Sequence, residues 1–528
     1  MRESGSKATG RRGVLDAIER LGNALPDPVL LFIGLMAILL AVSAVAANYG
    51  LSAVHPGTGE RLFAESLLAP DNLSRLLVDM PQTFVGFPPL GLIAVVMIGA
   101  AVADRSGLFA AVIGRAARRV PTRLLTPSFF FIALLSHQAA DAAYVVLIPL
   151  AAMAYLKAGR HPLEGIAVTY AGISGAFAAN LLPGQFDVLL LGITQSAAAL
   201  IEPGRILNPL GNWWFTATLA LLLLPVGWWV TERIVAPRLA AGGPPSPAVP
   251  AAANGAAHGE PVGVVATCRD DRLGLRQAGV SALAVVGLFA ALALWPGDAP
   301  LRDESAVGQA AYAPFYESLV GGFMLLFLAS GWAYGRAVGT IHSHRDVIAM
   351  MAAGIRELAP FFVLAFFAAH FIAMFSWSNL GPIIAIHGAE WLRGLELGPV
   401  LLLLPLLLVV TCFDLLIGSA SAKWSVMAPI VVPMLMLLGI TPEMTTAAFR
   451  VGDSIVNIIT PVAANFVLVL VLCQRWDSRF GVGSLIALML PYSIAFGLAG
   501  LLLVGLWAGF ALPPGPGAPA LMPMVVPP

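Results

Sequence analysis

The chain has 528 residues, 59% of them hydrophobic and 11% charged, with 29 Lys and Arg against 29 Asp and Glu. Its mean hydropathy is +0.86. Soluble domains carry about 25% charge, so the composition excludes an ordinary soluble protein. The balanced charge offers no basic surface for nucleic acid, and the chain reads as an all-α polytopic membrane protein seated in a lipid bilayer.

The N-terminal segment 1–27 carries Arg2, Lys7, Arg11, Arg12 and Arg20, which places it on the cytoplasmic side. The apolar run that follows, Val29 to Ala47, ends in "AVAAN", a possible signal-peptidase site. The run is too long for a signal-peptide core and is expected to stay as the first helix. Nine apolar spans suit a bilayer crossing of about 20 residues. They lie at 28–48, 87–112, 163–200, 211–235, 277–295, 313–337, 347–377, 443–474 and 484–511.

Two other apolar stretches, 122–157 and 398–440, are too long for one span and are interrupted near the middle by small polar residues. The first has Arg115, Arg118, Arg119 and Arg123 before it and Lys157, Arg160 and His161 after it. With basic residues at both ends it enters from the cytoplasm and returns there. It is therefore expected to be a re-entrant hairpin with its tip at "SHQAADAAY". Counting crossings onward puts 398–440 outside, as a second hairpin with its tip at "GSASAKW". The expected organisation is a cytoplasmic segment 1–27, then a first membrane repeat 28–235 with hairpin 122–157. A flexible Pro-, Ala- and Gly-rich cytoplasmic linker 236–276 follows, then a connecting helix and outer loop 277–312. A second repeat 313–511 with hairpin 398–440 leads to a disordered Pro-rich tail 512–528.

The two hairpin regions resemble each other. At an offset of 280 positions, Pro149 meets Pro429, Gly159 meets Gly439, Pro162 meets Pro442 and Gly172 meets Gly452. The charge pattern gives the copies opposite orientations. Inverted repeats with interrupted helices are typical of secondary transporters, which bind substrate near the bilayer midplane.

The polar residues inside these regions are the candidate site. A hairpin tip leaves backbone groups unpaired and must be buried or line a wet cavity. Ser419, Ser421 and the N-terminus of the helix after them can then donate to an anion; the alternative is a serine-rich helix contact. Trp424 and Tyr144 can stack on an aromatic ligand or pack in the core. Beside each hairpin stands a broken span. In "AANLLPGQFDVLL", Asn180 and Asp187 flank the Pro183–Gly184 break; "RVGDSIVNIITPVAANF" holds Arg450, Asp453, Asn457 and Pro461. Arg450 and Asp453 share a helix face, at a spacing that allows them to pair. Either that pair is structural, or Arg450 holds a substrate carboxylate while Asp453 takes a proton or ion. Asn180, Asp187, Asn457 and, at the first tip, Asp141 with His137 are further candidates for ion or proton coupling. Asp414 and His370 read more readily as structural polar groups, and Lys423 as a side chain that bonds a carbonyl or snorkels toward water.

No Walker A sequence, nucleophile triad or HExxH occurs, which disfavours an ATP-driven pump and an enzyme. Cys268, Cys412 and Cys473 are too far apart for a metal or redox motif, so no cofactor and no metal are expected.

The stretch "IGSASAKWSVMAPIVVPMLMLLGITPEMTTAAFRVGDSIVNIITP" closely resembles the signature region of the AbgT family, the p-aminobenzoyl-glutamate transporters. "SHQAADAAYVVLIPLAA", "GFPPLGLIAVVMIGAAVAD" and "NPLGNWWF" are similar to other blocks of that family. The resemblance implies a homodimer of nine-helix protomers with two re-entrant hairpins. It implies transport of p-aminobenzoyl-glutamate or related aminobenzoates, or export of sulfonamides. It also implies functional roles for Asp187, Ser421, Trp424, Pro442, Arg450, Asp453 and Pro461. The expected partners are a small carboxylate substrate and a proton or sodium ion, and the expected location is a bacterial inner membrane. A sodium-coupled dicarboxylate carrier fits the repeats equally well. A non-transporting scaffold would have no need of Arg450, Asp453 and Asp187 at membrane depth.

Overall fold

The computed structural model describes residues 28–54, 59–136, 143–241, 271–295, 299–306, 311–414, 417–461 and 463–523. Segment 1–27, most of the linker, the first tip with His137 and Asp141, and residues 524–528 lie outside the described residues.

In lipid a backbone must satisfy its own polar groups, so long apolar runs become helices. The first half contains α1 (Pro28–Asn48), a small hairpin β1 (Ser52–Val54) and β2 (Arg61–Phe63), α2 (Pro70–Val78) and α3 (Met80–Val85). Next come α4 (Pro88–Arg105), α5 (Leu108–Arg118), α6 (Leu125–Leu135), α7 (Ile148–Lys157), α8 (Pro162–Tyr170), α9 (Gln185–Ala198), α10 (Trp213–Val230) and α11 (Ala236–Ala241). The second half contains α12 (Asp271–Leu294), α13 (Ala313–Val338), α14 (His344–Glu357), α15 (Ala359–Trp377) and α16 (Leu380–Arg393). It ends with α17 (Pro399–Asp414), α18 (Ala420–Leu437), α19 (Pro442–Ser454), α20 (Ala464–Gln474) and α21 (Val482–Gly509).

Among the described residues, eight helices have the length and hydropathy to cross a membrane: α1, α4, α10 with its continuation through α11, α12, α13, α15, α18 and α21. Two expected spans are shorter than the sequence suggests. The run 87–112 ends at Gly107, whose φ of +89° turns the chain between α4 and α5. The run 347–377 divides at Leu358, where Pro360 opens α15 and cannot continue α14. The short helix α16 was not among the expected elements.

Both interrupted stretches run out and back. At the open end of the first, Thr126 Oγ1 lies 2.8 Å from Tyr155 Oη, so the start of α6 and the end of α7 stand side by side. Arg160 ties them to neighbouring helices through Glu164 at 2.6 Å and Glu232 at 2.8 Å. In the second, Leu402 and Leu406 of α17 and Val431 and Leu435 of α18 line one cavity, and Arg393 at the end of α16 donates to the Leu437 carbonyl 3.0 Å away.

Helix boundaries recur at the offset of 280. α8 begins at Pro162 and α19 at Pro442; α7 ends at Lys157 and α18 at Leu437. Gly159 and Gly439, which follow those ends, take φ of +74° and +84°, a left-handed stop that suits glycine. Gly172 and Gly452 also occupy matching places. A Cβ on Gly172 would stand 2.5 Å from Ala133 Cβ, and one on Gly452 would stand 2.8 Å from the Leu407 carbonyl oxygen. Each glycine thus lets a broken helix press against the first arm of its hairpin.

The Pro-rich tail corrects an expectation. Residues 512–523 are fastened to the protein rather than free. Prolines cannot donate, but their carbonyls accept: Pro514 from Phe215 N at 3.0 Å, Pro519 from Thr441 Oγ1 at 2.7 Å and Pro513 from Trp507 Nε1 at 3.2 Å. Ala520 accepts from Thr441 N at 3.1 Å, and Met522 N donates to Gly439 O at 2.8 Å. Asn208 Nδ2 donates to the Pro516 carbonyl at 2.5 Å, so the tail straps loop 207–213 to the α18–α19 junction. Ending the chain after Leu512 removes these acceptors, each worth about 1 kcal/mol. The expected result is a lower melting temperature in detergent and faster proteolysis near Asn208; an unchanged melt would show that the strap contributes no stability.

Candidate functional site

The two broken spans meet. After α8 the helix widens into a π-helical turn, Ala171–Gly175, and stops; it resumes as α9 at Gln185, after Pro183–Gly184. α19 ends at Ser454 and α20 starts at Ala464, beyond Pro461. A Cβ on Gly175 would stand 2.9 Å from Ile458 Cδ1, and Tyr170 Oη donates to the Asn457 carbonyl at 3.4 Å. Each break is thus buried against the other, where its free backbone groups are kept from lipid.

Asp187 stands in the first turn of α9, where the helix dipole favours an anion. It accepts from Gly184 N at 2.7 Å and from Asn180 Nδ2 at 3.1 Å. It also pairs with Arg450 Nη1 across the interface. Of the two open readings, the Arg450–Asp453 ion pair is not the one that forms. Both residues sit on α19, but α9 offers Arg450 a carboxylate that is already fixed by other bonds. Asp453 turns instead to Lys423 of the second hairpin, 2.7 Å away, and Lys423 also pairs with Asp414 at the end of α17. Lys423 and Asp414 therefore belong to one buried ionic cluster with Asp453, and Lys423 neither snorkels nor caps a carbonyl. Beyond Lys423, no described donor bonds Asp414.

Around the second break, three carboxylates (Asp187, Asp414, Asp453) face two cations (Lys423, Arg450), all with side chains at most 10% exposed. The set has one more negative charge than positive. An uncompensated buried charge is costly, so the cluster is suited to take up one proton or one monovalent cation.

Arg450 retains binding capacity. Its Nε and Nη2 are buried without a hydrogen-bond partner, and these two groups form the edge that grips a carboxylate bidentately. The Phe186 ring lies 5.5 Å from its Cζ. Arg450 and Asp187 line a narrow cavity of about 30 Å³ together with Pro183, Thr194, Asn212, Trp213, Glu443 and Thr446. In this conformation the cavity holds a water-sized group, and Leu207, Asn208 and Pro209 of loop 207–213 also line it.

The other sequence candidates make contacts of their own. Ser419 caps α18, accepting from Ala422 N at 3.3 Å, and its Oγ is 3.3 Å from that of Ser421. Trp424 is fully buried and stacks on Phe449 with ring centroids 4.2 Å apart. Its Nε1 donates to Thr194 Oγ1 at 2.8 Å, which meets Thr446 Oγ1 at 2.9 Å. Trp424 therefore stands one hydrogen bond behind the cavity wall. Pro442 starts α19 with Thr441 as its cap. His370 bonds the Phe366 carbonyl of its own helix at 2.6 Å, away from the site. Trp424→Phe keeps the stack and loses one hydrogen bond, so stability should fall by about 1 kcal/mol and ligand affinity by no more than about threefold. A much larger loss of affinity would place the indole directly on the ligand.

Glu443, Asn212, Thr194 and Thr446 were not singled out from sequence. Glu443 and Thr446, seven and four residues before Arg450, share its helix face, a signal that was legible. The contribution of Thr194 and Asn212 depends on how distant helices cross and leaves no local trace.

A model of the AbgT putative transporter family matches residues 13–522. The p-aminobenzoyl-glutamate transport protein of Escherichia coli (strain K12) is 35% identical over 502 residues, 95% of each chain. The crystal structure of the Alcanivorax borkumensis YdaH transporter superposes with a TM-score of 0.85 at 39% identity, covering 93% of this chain and 100% of that one. Neisseria gonorrhoeae MtrF, described as illuminating a class of antimetabolite efflux pumps, superposes with a TM-score of 0.85 at 38% identity, covering 96% and 100%. A fold shared with transporters over nearly its whole length, with charges gathered where two helices break, makes this a multi-pass membrane transporter and no enzyme: the chain belongs to the AbgT putative transporter family.

Proposed function

We propose that the protein is a secondary transporter for p-aminobenzoyl-glutamate or related aminobenzoate carboxylates in a bacterial inner membrane, driven by a proton or sodium gradient. The observation that carries this reading is the unpartnered Nε–Nη2 edge of Arg450, buried and lining a cavity. A planar guanidinium edge of this kind fits a carboxylate and cannot be replaced by a lysine. The substrate named for the Escherichia coli relative has such carboxylates and an aromatic ring. Helix boundaries recurring at 280 residues support an inverted repeat, whose two broken helices exchange access around a shared site. A homodimer belongs to the same proposal.

Coupling belongs to the acidic excess beside the site. Uptake of one proton or sodium ion at Asp453 and Asp414 neutralises the cluster, and the occupied cluster then permits the repeats to move. Asn180, Asn457, Ser421 and Pro461 line or shape the breaks through which the ion and substrate pass. The likeness to MtrF supports a second reading, export of sulfonamide-type antimetabolites by the same site.

The test is uptake of labelled p-aminobenzoyl-glutamate into proteoliposomes, with proton and sodium gradients imposed separately and in each direction. Accumulation under one gradient is expected. Movement only outward, with sulfonamide as the better cargo, would favour the export reading. No movement of either compound under any gradient would overturn both.

A further inference from the structure

The cavity has a second polar end. Glu443, in the first turn of α19, is only 8% exposed, and its Oε2 is buried with no hydrogen-bond partner. Asn212, at the start of α10, likewise buries an unpartnered Oδ1. Both residues line the cavity that contains Arg450. An acidic residue in a first turn serves the helix dipole, but that role is met as well from solvent and does not explain a buried, unbonded oxygen. The nearby Arg205 is engaged by Glu202 at 2.8 Å, and Oε2 of Glu443 stays without a partner. A buried acceptor left unmet is destabilising, and two facing one cavity mark a place for a donor.

Glu443 precedes Arg450 by seven residues, two turns on one helix face, so the two groups are separated by roughly 10 Å along the axis. The cavity thus offers free donors at its deep end and free acceptors at its outer end. We propose that Glu443, assisted by Asn212, receives the aromatic amino group of a ligand whose carboxylate lies on Arg450. This inference rests on the aminobenzoate reading above and makes it narrower. A benzene ring extended by an amide and one carbon spans on the order of 10 Å between amine and carboxylate, whereas p-aminobenzoate itself spans on the order of 6 Å. Once the cavity, water-sized in this conformation, opens to admit a ligand, an aminobenzoyl amino acid reaches both ends and free p-aminobenzoate does not. The outer end therefore sets both the demand for an amine and the preferred length.

The experiment compares binding of p-aminobenzoyl-glutamate, benzoyl-glutamate and p-aminobenzoate to the purified full chain, by calorimetry in detergent. Losing a hydrogen bond to a charged group lowers affinity by about tenfold or more. Wild type should favour p-aminobenzoyl-glutamate over benzoyl-glutamate by about that factor, and over p-aminobenzoate by at least as much. In Glu443→Leu the ratio between the two benzoyl compounds should collapse to within about threefold, and in Asn212→Leu it should shrink. Asn212→Leu carries the test if the Glu443 variant does not fold. A wild-type ratio near one, or a ratio unchanged in the variants, overturns the role of Glu443 while leaving the aminobenzoate reading standing. Failure of wild type to bind either benzoyl compound overturns that reading and this inference together.

Discussion

Replacing Arg450 by alanine or lysine is expected to weaken binding of p-aminobenzoyl-glutamate by about ten- to a hundredfold or more. A charged hydrogen bond contributes roughly 1.5–3 kcal/mol, and lysine cannot offer the parallel Nε and Nη2 donors that arginine presents. The competing role is structural, as the counter-ion of Asp187. Two features separate the roles. Asp187 does not depend on Arg450 alone, because Gly184 N at 2.7 Å and Asn180 at 3.1 Å also hold it at the start of α9. The Arg450→Ala protein should therefore still elute as folded protein and bind poorly. The double variant Arg450→Ala with Asp187→Ala leaves neither charge alone. If the pair were only structural, the double variant would recover binding relative to Arg450→Ala. We expect no recovery, and affinity in Arg450→Ala within threefold of wild type would remove Arg450 from the binding role.

The second large effect lies in the Lys423 cluster. Lys423→Met leaves Asp414 and Asp453 buried without their cation, and removing one member of a buried pair costs about 3–5 kcal/mol. That variant should express poorly or melt well below wild type. Restoring charge balance with Asp453→Asn and Asp414→Asn in the Lys423→Met background should recover folding, because no buried charge is then unpaired, while leaving gradient-driven uptake lost. The single change Asp414→Asn is the most informative. It keeps the Lys423–Asp453 pair of 2.7 Å and removes the extra negative charge. Folding should survive, and the protein should equilibrate substrate without accumulating it against a gradient. Normal accumulation by Asp414→Asn would show that the acidic excess does not carry the coupling ion.

Much of this protein is written locally in its chain. Long apolar runs dictate membrane helices because lipid leaves a backbone few alternatives. Pro183–Gly184 and Pro461 mark the places where two helices break. Gly159 and Gly439, Gly172 and Gly452, and Pro162 and Pro442 reveal the recurrence at 280 residues, because turns and close contacts require those residue types. Arg450, Asp453 and Asp187 were legible as site residues because charge at membrane depth is costly without a purpose. What the sequence left open is which charge meets which. Spacing on α19 favoured an Arg450–Asp453 pair, yet spacing within one helix offers only a surface contact of a few tenths of a kcal/mol. The crossing of α9 over α19 brings a preformed carboxylate to Arg450, and the second hairpin brings Lys423 to Asp453 and Asp414. The tail shows the same limit. Its proline and glycine content predicts disorder, because proline cannot donate to a helix or sheet ladder and glycine loses the most freedom on folding. Loop 207–213 and Thr441 supply donors that only the assembled helices place in its path.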